Sequence, residues 1–118
     1  MDCGGFKKIK PMFGPNDRVS FKGRSTNTYE FQAFNYGDKL PADVAAYAVA
    51  EIIFTDAVMS RKNIIFADAV DDLARALENH PDADKFKQRQ ANCVLVLRVP
   101  SPDAGKAILF DLGFLKQL

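Results

Sequence analysis

The only histidine of the chain, His80, closes the stretch NIIFADAVDDLARALENH, and Asp68, Asp71 and Asp72 precede it there. An imidazole near carboxylates is the raw material of general acid–base chemistry and of metal binding. One histidine with scattered carboxylates is too little for a transition-metal site, which gathers three or four converging ligands. The thiols do not make up the difference, because Cys3 and Cys93 lie at opposite ends of the sequence. Cys93 sits inside NCVLVLRV, where a cysteine acts as a small core hydrophobe. No metal and no cofactor are expected. The structural role open to His80 is that of a helix-terminal residue, stabilised by the negative end of the helix dipole.

A second pattern interleaves positive charge with aromatic rings. Lys7, Lys8, Lys10, Arg18, Lys22 and Arg24 share the first 24 positions with Phe6, Phe13 and Phe21, against only Asp2 and Asp17. Basic and stacking side chains together suit a surface for single-stranded nucleic acid. Lysines along an edge strand also serve to block aggregation, which is the structural role for the same residues.

These groups must be held by one domain. A chain of 118 residues buries enough surface to fold without metal or disulfide. Sixteen basic residues against fifteen acidic ones leave a net charge of +1, and 47% of residues are hydrophobic. That balance excludes the disordered classes and those that coat nucleic acid, so a charged partner must be met by a local patch. No run approaches the 18 apolar residues of a span, and MDCGGFKKIK lacks the apolar region of a signal peptide. A cytoplasmic protein without a membrane partner is expected.

Along the chain, residues 1–17 read as a basic arm rich in glycine and proline, and 18–118 as a single domain. RVSFKG and TYEFQAF form a hairpin across RSTN. Residues 42–60 are ambiguous: alanine favours helix, whereas Tyr47, Val49, Ile52, Ile53 and Phe54 are strand formers, and propensity alone tips toward helix. KNIIFA reads as a short buried strand. Val70, Leu73 and Leu77 share a helical stripe over 69–79, stopped by His80-Pro81. PDADKFKQRQ suits a short helix, and NCVLVLRVP a buried strand. Ser101 and Pro102 then open a helix over 102–116, with Ala104, Ile108, Leu112 and Leu115 on its apolar stripe.

The order of these elements, with AAY at 45–47, NIIFAD at 63–68, DDLARALENH at 71–80, DKFKQRQANCVLVL at 84–97 and AILFDL at 107–112, resembles small bacterial proteins of the GIY-YIG nuclease fold. The resemblance covers roughly residues 18–116. It implies an α+β fold, a small antiparallel sheet flanked by helices and preceded by the N-terminal hairpin. Within it, 46–54 and 63–67 become paired strands joined by DAVMSRK, against the helical preference. Strand 92–98 would complete three strands.

The same resemblance implies a site that has lost its chemistry. The tyrosine of the first motif matches Tyr47, but the glycine two places before it is Ala45. The second motif reads Phe66-Ala67-Asp68. The arginine that would neutralise phosphate falls on Ala76, and the metal-holding glutamate on Leu109. Arg75 lies one residue from the arginine position, which turns it about 100° around the helix, and Asp111 is likewise rotated from Leu109. Tyr47 and His80 would be vestiges. The expected function is therefore a catalytically inactive interaction module, an adaptor or inhibitor, with nucleic acid as a second, weakly held ligand. The alternative is a divergent metal-dependent endonuclease using Tyr47, Arg75 and His80. Leu109, Phe110 and Phe114 are the expected partner-binding residues, for another protein or for a second copy of the chain.

Overall fold

The computed structural model describes residues 13–14, 17–55 and 58–115, with the side chains of 58–60 left out. Five strands, β1 (Arg18–Lys22), β2 (Thr28–Asn35), β3 (Ala45–Thr55), β4 (Val58–Val70) and β5 (Cys93–Arg98), form one antiparallel sheet. Their order is β1-β2-β5-β3-β4. Helices α1 (Leu73–Glu78) and α2 (Ala83–Gln88) connect β4 to β5, and α3 (Pro102–Leu112) follows β5. The α+β class stands. The N-terminal hairpin does not merely precede the sheet: β2 pairs with β5, extending three strands to five.

β3 explains the ambiguity of 42–60. It is paired on both sides and buried on both faces, so its sequence is a continuous apolar run without alternation. Ala46, Ala48, Ala50 and Ile52 face one side with Val19, Phe31, Cys93, Leu95 and Leu109. Ala45, Tyr47 and Val49 face the other with Leu73, Phe86, Val94 and Val96. We call these the α3 face and the α1–α2 face. The alanines admit α3 closely: a Cβ placed on Gly105 would come 2.8 Å from the Ala69 Cβ and 3.3 Å from that of Ala46. The sheet curls around this side, bringing the Lys62 ammonium of one edge strand 4.9 Å from the Phe21 ring of the other.

Several boundaries differ from the sequence reading. β4 is far longer than 63–67 and includes the Val58-to-Lys62 part of the expected connection, because bulges at Ser60 and Ile65 absorb its irregular pattern. It also claims Val70, so α1 starts at Leu73 behind an Asp72 cap whose carboxylate accepts the Arg75 amide. Helix α3 stops at Leu112 rather than 116. Gly113 takes φ +78°, and the Phe114 amide returns to the Leu109 carbonyl, a glycine-dependent helix stop. Phe13, assigned to the arm, is buried against Phe54, with Asn35 bonding both its backbone groups.

Candidate functional site

Tyr47 lies in mid-β3 on the α1–α2 face, directly opposite Asp68 of β4. It is 1% exposed, and its ring packs 6.2 Å from that of Phe66. Burial pushes its phenol well above the usual range, and the carboxylates of Asp68 and Asp82 push the same way. Such a phenol keeps its proton and is the reverse of an activated base. Its hydroxyl makes no hydrogen bond to any described residue.

His80 reaches the same face but does not sit on the end of a helix. Helix α1 ends at Glu78 with Asn79 as its cap, and His80 bridges to α2. Its Nδ1 accepts the Asp82 amide at 3.0 Å, and its ring packs 4.8 Å from Phe66 and 5.0 Å from Phe86. The dipole role is thus replaced by another structural one: the imidazole caps the turn into α2, where the Asp82 side chain makes no cap bond. With Nδ1 accepting, the ring proton sits on Nε2.

The remaining positions do not converge on this pair. Leu109 is fully buried on the α3 face, so the sheet itself separates it from Tyr47 and His80. Arg75 is exposed on α1, as its rotation from Ala76 requires. Among the described residues no three His, Cys, Asp or Glu side chains come together to hold a metal ion.

The expected partner surface is also rearranged. Leu109 belongs to the core, because the buried stripe of α3 is Gly105 and Leu109, one residue on from the expected one. Phe114 turns back at Gly113 and packs edge-on against Phe21, ring centres 5.1 Å apart. Only Phe110 is exposed, at 46%, and the Arg24 guanidinium lies 5.2 Å from its ring. Arg24 also donates to the Phe110 carbonyl, at the electronegative end of α3. Beside it, Asp111 accepts the Ser25 amide and hydroxyl and the Tyr29 hydroxyl. These hydrogen bonds, that of Ser25 first, and the Arg24 charge hold the Asp111 carboxyl below its usual range, against a smaller opposing effect of burial. Arg24 is therefore a structural clamp. Arg18 is exposed and Lys22 projects from edge strand β1, while Lys7, Lys8 and Lys10 lie outside the described residues.

Two further features of the described residues bear on function. A cavity of about 450 Å³ lies between the loop after β2 and helices α1 and α2, lined by Tyr36, Leu40, Leu77, His80, Phe86 and Val94. Its walls are mostly apolar, and the Asp38 carboxylate at its rim is taken by Asn35. The other is the outer edge of β4, thirteen residues long and paired, among the described residues, only with β3. At its centre run Ile64, Ile65, Phe66 and Ala67, beside a cleft of about 680 Å³ shared with Leu112 and Phe114. Arg61 and Lys62 precede the apolar run, and Asp68, Asp71 and Asp72 follow it. NIIFA, expected as a short buried strand, lies instead in the strand at the end of the sheet order. The signal was there: an apolar centre flanked by opposite charges is unlike the uniformly apolar VLVL of the interior β5.

No family model, curated protein or solved structure matches this chain.

Proposed function

We propose that the chain is a non-catalytic protein-interaction module, of adaptor or inhibitor type, that takes its partner along the outer edge of β4. The observation that carries this reading is the long edge strand with four consecutive apolar residues at its centre. An edge offers a row of main-chain donors and acceptors to an incoming strand, and alternate side chains supply selectivity. The absence of catalysis is supported by Tyr47, whose buried phenol resists ionisation, and by Leu109, which packs across the sheet from it. Nucleic acid is the second, weaker ligand, held through exposed basic residues.

The test compares the wild type with Ile65→Lys, which sets a charge into the apolar centre of the edge. Partner association should weaken at least tenfold while the melting transition persists. Incubation with DNA and RNA in Mg²⁺ or Mn²⁺ should give no cleavage. Metal-dependent cleavage that disappears in Tyr47→Phe would establish the nuclease reading instead.

A further inference from the structure

Resting on the reading of β4 as the docking edge, we infer that its occupant is the β4 edge of a second copy of this chain, antiparallel about a two-fold axis, with Ile65 opposite Phe66 of the other copy. Residues directly opposite in a sheet share a face, so the β3 pairings assign Lys62, Ile64, Ala67 and Ala69 to the α3 face. Arg61, Asn63, Phe66, Asp68 and Val70 fall on the α1–α2 face. Ile65, the extra residue of the bulge, also packs on the α1–α2 face, so two consecutive residues point the same way.

A regular strand meets such a bulge out of phase, which is why bulges protect edges. A second copy carries the same irregularity at the same height. In the proposed register Ile65 faces Phe66, Ile64 faces Ala67, Asn63 faces Asp68, Lys62 faces Ala69 and Arg61 faces Val70. Every pair shares a face.

The charges favour the same occupant. Antiparallel pairing sets the basic beginning of each β4 beside the acidic end of the other, with Arg61 diagonal to Asp68 and within reach of a long side chain. Arg61 is exposed and has no ion-pair partner among the described residues. Among the described residues, the Asp68 carboxylate accepts only the Ala69 amide. Both are free to pair between copies.

Sedimentation equilibrium on the wild type, Arg61→Glu, Asp68→Lys and an equimolar mixture of the two variants tests this. The wild type should form a reversible dimer. Each variant alone brings like charges together twice and should dissociate about tenfold more readily. The mixture should dimerise like the wild type. In a mixed pair the glutamate introduced at position 61 of one chain meets the lysine introduced at position 68 of the other, and the native Arg61 and Asp68 meet at the second contact. A dimer insensitive to either substitution, or a mixture that stays monomeric, overturns the pairing. A monomeric wild type overturns it too. If the β4 amides of that monomer gain protection from exchange in a cell extract, strand addition survives with a different occupant; if they do not, both readings fail.

Discussion

Asp111 shows how much a single half-buried carboxylate can organise. It joins the turn after β1 to the last turn of α3 through Ser25, Tyr29 and the nearby Arg24. Its folded-state pKa is depressed, so the stability it contributes is present above the usual carboxylate range and lost as pH falls through the depressed value. Asp111→Asn should therefore melt below the wild type at neutral pH, and the two melting temperatures should converge in strong acid. A gap unchanged with pH would contradict the role of the charge. Tyr47 allows a second expectation. Its hydroxyl is buried without a described partner, so Tyr47→Phe should leave stability unchanged or raise it, whereas Tyr47→Ala should cost about 3–5 kcal/mol of packing in denaturant titrations. Cys93 was legible from its apolar neighbours, and the structure buries it completely. Burial pushes its thiol up to about 12, partly offset by a hydrogen bond with the Phe34 backbone. Alkylation mapped to Cys93 at mildly alkaline pH should occur only after unfolding. The role of His80 was not legible, because the partner of its Nδ1 depends on where α1 ends.

At the scale of elements, the short helices and the strands within the apolar runs were readable, since proline, Ser101 and hydrophobic pattern punctuate them. What local pattern missed was set by tertiary contact. The identity of β3 as a strand comes from two neighbouring strands rather than from its alanines, and the length of β4 is hidden by two bulges. The stripe of α3 is displaced because Gly105, invisible to a hydrophobicity count, is its closest point of approach to the sheet. Gly105→Ala tests this. Alanine gains about 1 kcal/mol of helix propensity, yet its methyl must meet the Ala69 and Ala46 Cβ atoms, an overpacking that costs about 1–3 kcal/mol. Unfolding in urea should show a net loss, with Ala69→Gly restoring part of it. A stabilised Gly105→Ala variant would mean that α3 does not pack this closely.

For the whole molecule, the curl of the sheet divides the surface into unequal parts. α3 and Phe114 fill the concave side, α1 and α2 cover part of the other, and Arg24 lies over the exposed ring of Phe110. No helix among the described residues is long and apolar enough to cross a membrane. β1 spans five residues and ends beside the clamped turn, whereas β4 presents thirteen. Recognition through the β4 edge can be read directly from amide hydrogen exchange across residues 61–70 at low and high protein concentration. Pairing between copies requires that the amides of β4 directed away from β3 slow as concentration rises, while those of β1 and of the loop lining the 36–40 cavity do not change. Concentration-dependent protection that appears at β1 or around Tyr36 and His80, with β4 unaffected, would contradict it.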